Sequence, residues 1–287
     1  MGDVKGRVMK NILSNLILGV FAVCLSQGAF ALETITVAAT QTPNGDLLNM
    51  IKPILAKQGY VLEIKNYTSY NDPGMRLVSN NNPNLDVNDK TYDANFFQHT
   101  PYLNQYNKYF DTDLVSVGKV FYVPYRIYAN KLTESKLTKS HNINDITKGA
   151  TVGIPDNEIN GVRALKLLAA AKMITLNPNV AMPDVRDVVS NQHHLIIVKV
   201  DSVVLGQMIA NNKLDFIVMN AQQAALENIN SSSSFFVESQ NNLYANILVS
   251  RKDNLNSPKV QALYDALTSA EAKHLIQTKF TGISPSF

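Results

Sequence analysis

The chain of 287 residues is longer than one domain usually is, and with 45% apolar and 17% charged residues it has the composition of a folded protein, which excludes disorder. Its formal charge is +3 and falls to +1 without residues 1–31, which carry Lys5, Arg7, Lys10 and Asp3. A near-neutral surface without basic clusters argues against nucleic-acid binding, because neutralising phosphates supplies most of that affinity.

Lys5, Arg7 and Lys10 precede an apolar run from Leu16 to Leu25, and Ala29-Phe30-Ala31 closes the segment. This is the pattern of a secretory signal peptide cleaved after Ala31. A membrane anchor needs roughly 20 apolar residues, and Ser26 and Gln27 break this run first. The only cysteine, Cys24, lies within the signal, so the exported chain would hold no disulfide. A core of this size needs none, and the periplasm is the expected compartment.

Beyond the signal, Ile35–Thr40 (ITVAAT) predicts a strand and the turn residues 41–45 (QTPNG) a loop. Leu47, Met50, Ile51, Ile54 and Leu55 recur at helical spacing, with a kink expected at Pro53 and a stop at Gly59. The strand Tyr60–Ile64 completes a βαβ unit. Asp72-Pro73 reads as a helix cap, and Asn80–Lys90 as an exposed loop. Ala150–Ile154 predicts a strand, followed by a helix carrying Val162, Leu165, Leu168 and Ala169. Leu214–Met219 predicts a buried strand, and Asn228–Ser234 a second polar loop. Ser257-Pro258 caps a helix with Val260, Leu263, Tyr264 and Leu267 on one face, and another helix begins near Ser269. Strands alternating with helices predict an α/β fold with mainly parallel sheets and helices on both faces.

Three segments place polar and aromatic residues at expected strand ends, where open α/β sheets hold ligands. In DANFFQHTPYL (93–103), Phe96, Phe97, His99 and Tyr102 suit an apolar pocket wall with a polar tip, although both phenylalanines fit a core as well. In the second, Pro155-Asp156-Asn157-Glu158 leads into Asn160-Gly161-Val162-Arg163 at a helix start. A cation in a first turn opposes the helix dipole, so Arg163 there requires a carboxylate: a ligand's, or that of Asp156 or Glu158. In the third, Asn220 ends one strand and Tyr244-Ala245-Asn246 opens another. Side-chain amides donate and accept, which suits a zwitterion, though each Asn also suits a turn or cap.

No GxSxG, HExxH, Walker A or GxGxxG pattern stands where catalysis would need it. The histidines, His99, His141, His193, His194 and His274, lack zinc-ligand spacing, so neither metal nor cofactor is expected.

The segments DANFFQHTPYLNQY, VGIPDNEINGVRALKLL, LDFIVMNAQQAALE and LYANILVSRKDN, in this order, resemble the methionine-binding proteins of bacterial ABC importers, the MetQ-like group of the NlpA lipoprotein family. The resemblance spans nearly the whole exported chain. It implies a two-lobed periplasmic binding fold, with lobe 1 formed by 33–122 and 239–287, lobe 2 by 123–238, and the ligand in the cleft between them. It further implies a pocket of Tyr70, Phe97, His99, Tyr102, Asn160, Arg163, Asn220, Tyr244 and Asn246, with Arg163 on the ligand carboxylate. The implied partners are methionine (L or D) or a related small ligand and an importer permease with its ATPase, served by a monomer that catalyses nothing. A methionine-containing dipeptide or another apolar amino acid is the alternative cargo, and an enzyme on the same fold the alternative class.

The chain departs from the family pattern at several places. Glu158 stands where relatives often carry Pro, Val162 replaces a small residue before the Arg, Phe96 occupies a variable position, and the stretch between Tyr70 and Pro83 is longer. Many relatives carry lipid on a cysteine that follows a small residue, whereas Val23 precedes Cys24 here. A soluble periplasmic protein is therefore expected, with lipid anchoring at Cys24 as the alternative.

Overall fold

The computed structural model describes residues 32–67, 82–137, 143–230 and 233–287. The signal segment, Tyr70 and the Asp72-Pro73 cap lie outside the described residues. Contacts divide the chain into Met1–Glu33 and Thr34–Phe287, and the sheets and cavity below belong to the second unit.

In chain order the first elements are β1 (Glu33–Thr40), α1 (Asp46–Lys57), β2 (Tyr60–Tyr67), α2 (Pro83–Asn88), β3 (Ala94–His99), α3 (Thr100–Phe110) and β4 (Val115–Tyr122). There follow β5 (Tyr125–Ala129), α4 (Lys131–Leu137), β6 (Thr151–Pro155), α5 (Glu158–Ala170), the short pair β7 (Thr175–Leu176) and β8 (Val188–Ser190), and β9 (Ile196–Val200). The chain closes with α6 (Ser202–Ala210), β10 (Phe216–Asn220), α7 (Ala221–Leu226), β11 (Ser234–Val237), β12 (Ala245–Ser250), α8 (Pro258–Leu267), α9 (Ala270–Lys279) and β13 (Ser284–Pro285).

The strands form one six-stranded sheet, β13-β4-β12-β3-β1-β2, and one five-stranded sheet, β11-β5-β10-β6-β9. The chain passes from the first to the second between β4 and β5, and returns between β11 and β12. Both sheets are mixed, which corrects the expectation of mainly parallel ones. β1 pairs with β3, and β6 with β9 and β10, in parallel. β12 runs antiparallel to β3 and β4, β13 to β4, and β5 to β10 and β11. A parallel pair needs a helical crossover on the same sheet. A strand arriving from the other sheet has no such connection to satisfy and is free to pair antiparallel, as β5 and β12 do.

Helices cover both faces of each sheet. On the six-stranded sheet, Leu47, Leu48, Ile51 and Leu55 of α1 pack with Leu263 and Leu267 of α8 and Ile276 of α9 over β1 and β3. Val87 of α2 and Leu103 and Tyr106 of α3 cover Ile247 and Val249 of β12. The five-stranded sheet repeats this arrangement through the two-residue period of β10. Phe216 and Val218 join the α5 side with Leu165 and Leu168, while Ile217 and Met219 join the α6 side with Leu205 and Ile209. Gly153 in β6 has no room for a side chain, since an added Cβ would lie 2.6 Å from Leu214 and 2.7 Å from Leu205.

Helix α1 runs through Pro53, and Gly59 follows it at φ +86°, a conformation that favours glycine. The expected loop Asn80–Lys90 instead contains α2. Asn82 accepts the Asn84 N–H as its cap, Pro83 fills the first turn, and Asn84 and Val87 are fully buried. Helix α5 starts at Glu158, capped by Asn157, so Arg163 lies in its second turn rather than its first.

Candidate functional site

β1, β3, β6, β9 and β10 end at Thr40, His99, Pro155, Val200 and Asn220, and these ends converge on one cavity of about 310 Å³. That size falls within the roughly 300–1,000 Å³ of small-molecule sites. The six-stranded sheet contributes the turn Thr40–Asn44, Tyr67, Phe97, Gln98, His99, Tyr102 and Asn246. The five-stranded side contributes Tyr125, Asp156, Asn157, Asn160, Arg163, Asp201, Asn220 and the Gln222-Gln223 pair.

The aromatic segment divides between core and cavity. Phe96 is fully buried and meets Phe121 edge-on at 5.2 Å, in the core. Phe97 lines the cavity and meets Tyr102 edge-on at 5.7 Å. His99 caps α3, its Nδ1 accepting the Tyr102 N–H at 3.3 Å, while Nε2 stands 3.3 Å from Asn160 Oδ1. Burial, reinforced by the charge of Arg163, pushes the imidazole down to about 3, so it is neutral.

Asn157 Oδ1 accepts the Asn160 N–H at 2.9 Å, which presents Asn160 and Arg163 from the start of α5. Asn220 Oδ1 accepts the Gln223 N–H as the cap of α7. Asn246 Oδ1 accepts from Asn44 Nδ2 at 3.2 Å, and Asn44 Oδ1 from Thr40 Oγ1 at 3.0 Å. Tyr244 is outside the cavity lining and stacks beside it, its ring 5.2 Å from His99 and 4.3 Å from the Arg163 Cζ.

Arg163 faces the cavity with its side chain 4% exposed, and its carboxylate partner is Glu238. Nε donates to Oε1 at 2.9 Å and Nη2 to Oε2 at 2.5 Å, while Nη2 also donates to the Val123 carbonyl at 3.0 Å. Tyr125 lies under the guanidinium, with its ring centre 4.1 Å from Cζ. Among the described residues, Nη1 has no hydrogen-bond partner. Glu238 Oε2 further accepts from the Tyr122 hydroxyl at 2.6 Å and the Tyr125 N–H at 3.0 Å. Burial would raise this carboxyl, but the hydrogen bonds and charge of Arg163 outweigh it and hold Glu238 below its ordinary range. Both partners are thus charged. The sequence-based pairing of Arg163 with Asp156 or Glu158 does not form, because Glu158 instead accepts from Gln105 and Tyr109 of α3.

Of the expected residues, Phe97, His99, Tyr102, Asn160, Arg163, Asn220 and Asn246 line one cavity, and Tyr244 flanks it. Sequence reasoning missed Glu238, a single acid in a polar stretch that carries no motif. It also missed the lining role of Thr40–Asn44, whose signal was present: a turn at the carboxyl end of the first parallel strand. Among the described residues no cluster of His, Cys, Asp or Glu could hold a metal ion, and no helix is long and apolar enough to cross a membrane.

The family model described as NlpA lipoprotein matches residues 35–285. The methionine-binding lipoprotein MetQ of Bacillus subtilis is 34% identical over 271 residues, covering 92% of each chain. Among solved structures, a nutrient-binding protein from Burkholderia cenocepacia bound to methionine matches with a TM-score of 0.76 and 25% identity, over 88% of this chain and 100% of that one. An ABC transporter periplasmic substrate-binding protein from Coxiella burnetii matches with a TM-score of 0.76 and 28% identity, over the same shares. The two-lobed periplasmic binding fold is common to these structures and this chain.

Proposed function

Because this chain belongs to the NlpA lipoprotein family, we propose that it binds methionine in the cleft between two lobes, 33–122 with 239–287 and 123–238, and delivers it to an ABC importer without turning it over. The observation that carries this reading is the buried guanidinium of Arg163, turned into the cavity with Nη1 unengaged among the described residues. A ligand carboxylate would take Nη1, a charge-assisted bond in a low-dielectric site. The amides of Asn220 and Asn246 would hold the ammonium, and Phe97 and Tyr102 would contact the thioether, a pairing worth roughly 0.3–1.5 kcal/mol.

Calorimetry with L-methionine, D-methionine, glycyl-methionine, leucine and glutamine tests the reading. Heat from at least one methionine enantiomer, with weaker binding of leucine and glutamine, is the expected result. Absence of heat from both enantiomers overturns it. Native mass spectrometry at the same concentrations checks that the ligand binds a monomer.

Residues 1–31 would export the chain. The lipoprotein names of relatives favour a lipid on Cys24, whereas the small-x-small pattern ending at Ala31 favours cleavage there. The intact mass of protein from cells separates them: a chain beginning at Leu32 supports the soluble form, and an acylated Cys24 the anchored one.

A further inference from the structure

The ion pair in the cavity wall bears on which ligands can enter. Among the described lining residues Arg163 is the only Lys or Arg, and its positive charge is matched by Glu238, engaged side-on through Nε and Nη2. Besides its tyrosines, the described lining holds the acids Asp156 and Asp201, both exposed, and His99, held neutral by burial. Burial and then the charge of Asp201 raise the Asp156 carboxyl, against a smaller opposing pull from Lys199, so the two acids, which follow the paired ends of β6 and β9, sense one another. The described lining therefore offers a carboxylate one charged donor, Nη1, in surroundings with an excess of negative charge. A monoanion gains the hydrogen bond and meets the repulsion of Asp156 and Asp201, with the charge of Arg163 already matched by Glu238. A zwitterion gains the same bond and places its ammonium in a field that attracts it.

We propose that Glu238 sets the charge preference of the cavity, fixing Arg163 side-on and cancelling its charge, so that a carboxylate is accepted only from a ligand carrying a cationic group beside it. Glu238 is a positioning residue here, since it stands outside the cavity lining and acts through Arg163 and the local field. Its bonds to Tyr122 and Tyr125, on either side of the first crossing between the sheets, fix its place. The inference rests on the methionine reading and deepens it.

The test compares L-methionine with its α-hydroxy analogue, a monoanion of nearly the same shape, by calorimetry on the purified protein. Wild type should bind the hydroxy analogue at least about 30-fold more weakly. Glu238→Gln, which keeps an acceptor for Tyr122 and Tyr125, should narrow that ratio by about tenfold or more, the effect of one charge roughly 10 Å away at an effective dielectric of about 20. A purely structural role would weaken both ligands together and leave the ratio alone. Should Glu238→Gln not fold, Asp156→Asn with Asp201→Asn at the exposed mouth should narrow the ratio in the same direction. An unchanged ratio in the variant that folds, or equal binding of the two ligands by wild type, overturns the charge-preference inference and leaves the methionine reading standing. If neither ligand binds wild type, the methionine reading fails and takes this inference with it.

Discussion

His99 and Asn160 meet across the gap between the two sheets, with His99 Nε2 3.3 Å from Asn160 Oδ1. Nδ1 is occupied as an acceptor by the Tyr102 N–H, so the single ring proton sits on Nε2 and is donated to Asn160. The helix cap thereby selects the tautomer that bridges the cleft, and the bridge joins β3 to the first turn of α5, one turn ahead of Arg163.

A pH dependence follows. Burial and the charge of Arg163 bring the folded imidazole down to about 3 from its ordinary 6.5. The unfolded chain takes up this proton near 6.5 and the folded one does not, so acid favours unfolding. The stability tied to neutral His99 is complete above 6.5 and is lost as the pH falls from 6.5 towards 3. The melting temperature should decline through that interval, and His99→Gln should flatten the decline. Identical slopes for the two proteins would show that His99 is not neutral when folded.

The Asn157 cap supports both Asn160 and the start of α5. Asn157→Ala should cost about 1 kcal/mol, or roughly 2–4 °C in melting temperature for a chain of this size. Asn157→Asp, which keeps the acceptor, should restore most of it. Methionine affinity should fall in the Ala variant because Asn160 loses its backbone anchor. Unchanged affinity would mean that the helix start holds its shape without the cap.

Much of the fold was legible because burial imposes a period. The spacing of Leu47, Ile51 and Leu55 marked α1, and the apolar run ending at Met219 marked β10. Strand direction was not legible, since it depends on where the chain crosses between sheets, and no local pattern records that. Helix α2 was hidden because Asn and Asp usually signal turns, whereas here Asn84 and Asp86 are buried in partnership with Gln98, Tyr67 and Lys65. Phe97, His99, Tyr102, Arg163, Asn220 and Asn246 were legible because they stand at or near expected strand ends, in segments whose order matches the family. Glu238 was not, because its partner lies 75 positions away and only the folded chain brings them together.

Gly153 tests the packing beneath the cavity. A methyl group there would collide with Leu205 and Leu214, both buried and unable to swing into solvent. Gly153→Ala should therefore destabilise by roughly 1–3 kcal/mol, the usual cost of overpacking. Combining it with Leu205→Ala should cost less than the two separate losses added together, because the cavity left by the leucine accepts the methyl. Simple additivity in urea unfolding would refute the contact.

Arg163 and Glu238 separate stability from binding. Both side chains are largely buried, with exposures of 4% and 13%, so removing one strands the other's charge. Arg163→Met should cost roughly 3–5 kcal/mol for that reason. Adding Glu238→Leu removes the stranded carboxylate, and the double variant should regain much of the stability, since an apolar pair of similar volume often serves as well. It should not regain methionine binding, because Nη1 is gone along with the rest of the guanidinium. Urea unfolding and calorimetry on the wild type, both single variants and the double variant read the two effects independently. A double variant that is stable and binds methionine as wild type does would remove Arg163 from the binding site.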